Sequence, residues 1–216
     1  MREASRPPSR LHCFADLQSA GNALVSVLEP YRRDRSALVL GIVRGGVPAA
    51  FQVAGALDLP LDIVLVRPLV KQTSGDLSRA VRVAGTLVVN DHGPQHNPVE
   101  GVFVAEALAT LAAREAACRG TRPPGSIAGR TVLLIDNGMR TGQTMGSALR
   151  AVRSLNPGRV VAAVPVSSPS AVALVGDLTD HLHYVIVSPA LGNVAMAYER
   201  FDVPDEAAIV KMLDGV

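Results

Sequence analysis

Tryptophan is missing from this sequence, and Phe and Tyr together supply only 3% of its residues. A core assembled around large rings is therefore excluded. The 48% hydrophobic content must come from Val, Leu, Ile and Ala on closely packed elements, which suits a buried parallel sheet covered by helices. Cysteine is also scarce. Cys13 and Cys118 lie far apart, with no second ligand at metal spacing, so a disulfide scaffold is excluded and two reduced thiols are expected. Lysine occurs only at positions 71 and 211, against 19 arginines that are scattered rather than clustered. The net charge of +2 is too small for a nucleic-acid footprint, so a nucleic-acid partner is not expected. No uncharged apolar run approaches the ~18 residues of a membrane span. MREASRPPSR at the start has no apolar stretch behind its charges to act as a signal peptide, so a cytoplasmic protein with no membrane partner is expected. The length of 216 residues fits a single domain over 1–216.

What is present is an alternation of apolar runs and helical patterns. Leu17, Ala20, Leu24, Val27, Leu28 and Tyr31 recur at helical spacing and predict a helix ending near Pro30. ALVLGIV (37–43), a glycine pair, a helix with Val47, Ala50, Phe51, Ala54 and Leu57 on one face, and LDIVLV (61–66) read as a βαβ unit. Residues 67–98 are rich in Gly, Pro, Asn, Asp and Arg, and read as a mobile excursion with a short hairpin around TLVVN (86–90). A helix from about 99 to 118, a strand TVLLID (131–136), a helix (143–155), a strand RVVAAVPV (159–166), a helix (169–178) and a strand LHYVIVS (182–188) follow. A last helix is expected from Pro204, with Asp205 and Glu206 in its first turn. Continuous rather than alternating apolar runs predict strands buried on both faces. The expected fold is α/β, an open parallel sheet with helices on both faces.

Ligands of such sheets bind beyond the carboxyl ends of the strands, which directs attention to the two glycine-bearing strand-to-helix turns. In VLLIDNGMRTGQTM (132–145), the strand delivers Asp136 and Asn137 to the rim and Gly138 permits a turn. Thr141, Gly142, Gln143 and Thr144 then open a helix whose N–H groups and two hydroxyls would suit a phosphate monoester. A carboxylate one turn away suits ribose hydroxyls or magnesium. Neither turn has P-loop or dinucleotide-binding spacing. The plain alternative is an ordinary helix start capped by Thr141.

VLLIDNGMRTGQTM resembles the phosphoribosyl pyrophosphate (PRPP) signature of type I phosphoribosyltransferases. VLGIVRGGVPAA (39–50) with LDIVLVRP (61–68) is similar to the first βαβ unit of a bacterial branch of that family, and the likeness extends through RVVAAVPVSSP (159–169) to AYERFDVPDE (197–206). The resemblance implies a hood made from the chain ends and a flexible loop over about 67–98. It implies transfer of ribose 5-phosphate from PRPP to a nitrogenous base, with loss of pyrophosphate and with magnesium. By position, Thr141, Gly142, Gln143 and Thr144 would hold the 5-phosphate, and Asp136 and Asn137 would meet the ribose hydroxyls. Magnesium would be met at Asp136, directly or through the ligand. Arg44, Gly45 and Gly46 would face the pyrophosphate, with Lys71 reaching it from the loop; a solvated loop lysine is an equal account of Lys71. Tyr198 and Phe201 are the candidates for stacking on the base, with core packing the equal alternative.

Three positions depart from the pattern. The second acidic residue of the signature is Asn137, a Pro68 stands where a lysine is usual after Arg67, and Arg140 replaces the aspartate of purine-salvage members, which makes hypoxanthine and guanine poor candidates. A second function class stays open: a non-catalytic nucleotide or PRPP sensor that keeps the phosphate cradle. The expected partner is a small molecule, PRPP or a nucleoside monophosphate, and a homodimer stays open. His92, His96, His181 and His183 lack a third ligand and read as loop and strand-edge residues.

Overall fold

The computed structural model describes residues 13–68, 79–90 and 101–216. Helix α1 (Leu17–Leu28) starts in a capping box, in which Asp16 accepts from the Ser19 N–H and the Ser19 hydroxyl accepts from the Asp16 N–H. It gives way to a single 3₁₀ turn where Pro30 has no N–H to continue the ladder. Strand β1 (Ala37–Ile42), helix α2 (Gly46–Leu57) and strand β2 (Leu61–Pro68) form the expected βαβ unit, with Val39 aligned to Leu61. Strands β3 (Arg79–Val83) and β4 (Thr86–Asn90) form the expected hairpin. Its two-residue loop has positive φ at both Ala84 (50°) and Gly85 (73°), the geometry that matches the natural twist of paired strands.

Helix α3 (Gly101–Arg119) leads to β5 (Thr131–Ile135), α4 (Gln143–Arg153), β6 (Arg159–Ser167), α5 (Pro169–Gly176), β7 (His181–Val187) and α6 (Glu206–Asp214). Among the described residues the sheet has seven strands in the order β4-β3-β2-β1-β5-β6-β7. The run β2-β1-β5-β6-β7 is parallel, and β3 and β4 extend it antiparallel beyond β2. Every residue of β1 is buried, because α1, α2, α3 and α6 cover one face of the sheet and α4 and α5 the other. The fold is thus the α/β arrangement that the apolar runs predict, with an antiparallel hairpin added at one edge.

Among the described residues, the two edge strands depart from the expectation of burial on both faces: in β4, Leu87 and Val89 are exposed. In β7, Tyr184, Val185 and Val187 are exposed, because nothing among the described residues pairs with its outer edge. An apolar run reports β-propensity and does not distinguish a central strand from an edge one.

Asp62 sits within β2 at 5% exposure, and its charge is met from several sides. The Arg119 guanidinium donates to it at 2.6 Å, and the Ile63 and Gly125 N–H groups donate at 2.7 Å each. Glu115 lies against Arg119 at 3.4 Å and accepts from Arg82 Nε at 2.5 Å, so one ion network ties β2, β3 and α3 together. A third apolar cluster joins the chain ends. Phe14 bridges to Tyr198, and both pack with Leu17, Leu191 and Ala197 above the end of β6.

Candidate functional site

The two glycine-bearing turns meet at the carboxyl ends of the adjacent strands β1 and β5. The close approach of their backbones explains the glycines. A Cβ on Gly45 would lie 2.1 Å from Asn137 Nδ2, and one on Gly46 would lie 2.7 Å from the Ile135 carbonyl and 3.0 Å from Asp136 Oδ1. Arg44, Gly45, Gly46, Asp136 and Asn137 are therefore brought into one cluster. Arg44 is exposed there, and the Val43–Arg44 peptide bond is cis.

Asp136 is half-buried at the rim and accepts from the Asn137 N–H at 2.8 Å. Burial, opposed only by that hydrogen bond, pushes its carboxyl up to about 7. A carboxylate in this state gains from any neighbour that donates hydrogen bonds or brings positive charge. Ribose hydroxyls and a divalent cation both qualify, so the donor set fits magnesium held through one carboxylate and its ligand.

Beyond Asn137 the turn is pinned from below. Gly138 has φ 155°, and a side chain on it would strike Val166 and Val194. Met139 donates to the Val166 carbonyl and accepts from the Ser168 N–H, each at 2.9 Å. The Ser168 hydroxyl donates to the Arg140 carbonyl at 2.6 Å and accepts from the Ala171 N–H, capping α5. Gly142, at φ 75°, is the N-cap of α4, and its Cα faces Leu174 and Val175 of α5. The cap is thus Gly142 and not Thr141, which leaves Thr141 one residue earlier, exposed, with Thr144 also exposed in the first turn of α4. The helix ladder opens with the Gly146 N–H donating to the Gly142 carbonyl, so the preceding N–H groups face the turn rather than the ladder. A cavity of about 250 Å³ lies here, lined by Asp136 through Met145 and by Val194. A second, of about 350 Å³, lies between the end of β2 and α3, with Val43, Arg67 and Arg114 on its walls.

The remaining candidates fall in different places. Tyr198 is buried, its ring 5.7 Å from that of Phe14 and 5.2 Å from that of Phe201, and its hydroxyl donates to the Asn137 carbonyl at 2.5 Å. Phe201 is half-buried beside it. Pro68 is exposed at the end of β2, opposite Arg79 in the antiparallel register. His181 and His183 lie on the edge strand β7, towards the opposite end of the sheet from the turns. Lys71, His92 and His96, with most of the loop expected over 67–98, lie outside the described residues.

Sequence reasoning missed Arg79. This residue opens β3, is 7% exposed, and donates from Nη2 to Gln143 Oε1 at 2.7 Å, at the first position of α4. The two are 64 residues apart, and no local pattern announces the pair. Ser168 was missed for the same reason.

Comparison with known proteins agrees with this geometry. The profile of the phosphoribosyl transferase domain family matches residues 28–179, which include both turns. The chain is 30% identical over 207 residues to two Mycobacterium tuberculosis proteins, named "Putative phosphoribosyl transferase Rv0571c" (strain H37Rv) and "Putative phosphoribosyl transferase MT0597" (strain CDC 1551). That match takes in 93% of this chain and 46% of each relative, so the chain spans about half the length of the curated proteins it resembles. The crystal structure of TT1426 from Thermus thermophilus superposes with a TM-score of 0.78 at 31% identity, covering 93% of this chain and 97% of that one. With its signature turn and its glycine turn both inside the matched span, the chain belongs to the phosphoribosyl transferase domain family.

Proposed function

We propose that the chain transfers ribose 5-phosphate from PRPP to a nitrogenous base and releases pyrophosphate. The observation that carries this reading is the packing of Gly45 and Gly46 directly against Asn137 and Asp136, next to the opening of α4. An anion on each side of a ribose would then meet a turn rich in N–H groups, with the sugar between them. Thr141, Gly142, Gln143 and Thr144 hold the 5-phosphate, and Asp136 and Asn137 orient the ribose hydroxyls. Arg44, Gly45 and Gly46, joined by Lys71, receive the pyrophosphate, while Phe201 is the ring best placed at the hood to meet the base.

Cleavage at the ribose C1 passes through an oxocarbenium-like state, as in glycoside hydrolysis. The protein's task is to align the two reactants and steady the departing charge through N–H donors and the Arg44 guanidinium. Magnesium, bound with PRPP, supplies neutralisation of the phosphate oxygens. Small, highly charged substrates of this kind belong to the cytoplasm, where the enzyme would act alone or as a homodimer. Among the described residues no helix is long and apolar enough to cross a membrane.

The sensor reading draws on two observations: the second signature position carries the uncharged Asn137, and the exposed Arg140 cannot act as a base. Calorimetric titration with PRPP, pyrophosphate, ribose 5-phosphate and nucleoside monophosphates, with and without magnesium, separates the readings when combined with base-dependent release of pyrophosphate. Arg44→Ala should weaken PRPP and pyrophosphate far more than monophosphates, because only the former occupy its subsite. Equal losses would remove Arg44 from that role. Asn137→Asp should raise magnesium-dependent PRPP affinity about tenfold by restoring a second carboxylate. Reduced binding in magnesium, with no pyrophosphate released, would favour the sensor.

A further inference from the structure

Ser168 stands between the end of β6 and the start of α5, 7% exposed, and it holds two consecutive peptide groups of the signature turn. Its N–H donates to the Met139 carbonyl at 2.9 Å, and its hydroxyl donates to the Arg140 carbonyl at 2.6 Å. A trans peptide group is planar, with its N–H pointing opposite to its C=O. Among the described residues only the Val43–Arg44 bond is cis, so both peptides held by Ser168 are trans. With their carbonyls drawn to Ser168, the N–H groups of Arg140 and Thr141 point to the other side of the chain. Neither N–H has an acceptor among the described residues. Arg140 and Thr141 line the cavity of about 250 Å³ and Ser168 does not, which puts the cavity on the N–H side. Successive N–H groups turned to one side make a concave anion site.

We infer that Ser168 is a positioning residue of the phosphate cradle: by holding the Arg140 carbonyl, its hydroxyl keeps the Thr141 N–H aimed at a phosphate monoester. This rests on the reading of the β5–α4 turn as the 5-phosphate site. The turn is flanked by Gly138 and Gly142, both at positive φ, and glycine gives the backbone freedom to rotate. An unheld peptide group there could swing its carbonyl to the cavity, where it would repel an anion. The same hydroxyl accepts from the Ala171 N–H at 3.1 Å and so caps α5. A hydroxyl carries one proton and two lone pairs, so the capping bond and the bond to Arg140 are made together. Capping uses only the oxygen. The proton is left for a second task, and it goes to the carbonyl that sets the direction of the Thr141 N–H.

The test is calorimetric titration of ribose 5-phosphate into the wild type, Ser168→Ala, Ser168→Gly and Ser168→Thr, with Asp205→Ala as the control. Asp205 caps α6 by accepting from the Ala208 N–H at 2.8 Å, and that helix does not line the cavity. Glycine is nearly as good an N-cap as serine, so Ser168→Gly keeps the start of α5 while losing the hydroxyl. Ser168→Ala and Ser168→Gly should each weaken ribose 5-phosphate about tenfold. Ser168→Thr, which keeps the hydroxyl, should stay within about twofold of the wild type. Asp205→Ala should unfold at a lower temperature and bind as the wild type does. In amide proton–nitrogen correlation spectra, the Thr141 signal should move downfield when the wild type is saturated, and move less in Ser168→Gly. Wild-type affinity in Ser168→Gly would overturn the inference and leave Ser168 as a helix cap. So would a Thr141 signal in the wild type that ignores saturating ligand, or a loss in Asp205→Ala or Ser168→Thr equal to that in Ser168→Ala. Thermal unfolding of each variant reports whether it folds; should Ser168→Ala fail to fold, Ser168→Gly and the wild-type Thr141 signal decide the matter. A wild type that binds no ribose 5-phosphate overturns the reading of the cradle itself. A wild type that binds it, with every variant its equal, leaves that reading standing and removes only the place given to Ser168.

Discussion

The Tyr198 hydroxyl donates to the main-chain carbonyl of Asn137 at 2.5 Å, so the C-terminal segment is fastened directly to the signature turn. Burial holds the phenol well above its ordinary value, with the nearby Asp136 adding to the shift, and it therefore stays a donor at any physiological pH. Tyr198→Phe keeps the ring packed against Phe14 and leaves the carbonyl without this donor. The expected loss is about 1–2 kcal/mol in urea unfolding, with nucleoside monophosphates weakened more than pyrophosphate because the turn proposed to meet the ribose is what loosens. Unchanged midpoints and affinities would show that the contact contributes nothing.

Gly45 and Gly55 make a matched pair, at the cap of α2 and inside that helix. A Cβ at Gly45 collides with Asn137, whereas one at Gly55 meets nothing within 4 Å. Gly55→Ala should stabilise the protein by about 0.5–1 kcal/mol through helix propensity, with ligand binding unaltered. Gly45→Ala should displace Asn137 and abolish measurable PRPP binding. Wild-type affinity in Gly45→Ala would show that the two turns move independently.

Asp136 gives a pH signature of definite sign. Its folded carboxyl is raised from 3.8 to about 7, so between those values the folded chain keeps a proton that the unfolded chain has lost. This group's contribution therefore falls as pH rises through that window and levels off above it. Asp136→Asn should remove that part of the decline and, on the alkaline side, exceed the wild type in stability by on the order of 1–3 kcal/mol, while losing PRPP affinity. Denaturant titrations on both sides of the window decide it. Parallel pH profiles for the two proteins would place the ionised carboxylate in a comfortable setting.

Arg119 anchors the ion network under β2. Arg119→Met leaves Asp62 charged, buried and short of its main cation, and should cost about 3–5 kcal/mol in unfolding free energy. The double change Arg119→Met with Asp62→Leu should recover much of that loss, since an apolar pair of similar size can replace a buried ion pair. Failure of the second change to recover any stability would mean that the network holds something beyond its own charges.

The parts of this protein that could be read from the sequence are those in which one short segment carries its own physics. VLLI at 132–135 is apolar throughout because both faces of β5 are covered, and DNGMRTG must turn because Gly138 and Gly142 take positive φ. The turn at Gly45 and Gly46 could be expected, but the closest obligation of these glycines, to Asn137 and Asp136, depends on which strands are neighbours. Arg79 with Gln143, Arg119 with Asp62, and Tyr198 with Asn137 are 64, 57 and 61 residues apart. Each pairing exists only once the sheet order is fixed, and a lone Arg or Tyr in a sequence does not reveal its partner. The edge position of β7 escaped for the same reason.

That edge has a practical side. HLHYVIV (181–187) contains neither lysine nor proline, and it ends the sheet with Tyr184, Val185 and Val187 turned to solvent. Its outer row of backbone donors and acceptors can template another extended chain. During expression and concentration, the route to insoluble material should begin at this strand rather than at the ligand end of the sheet. A lysine at position 185 would lengthen the shelf life of purified protein without touching the site on the far rim.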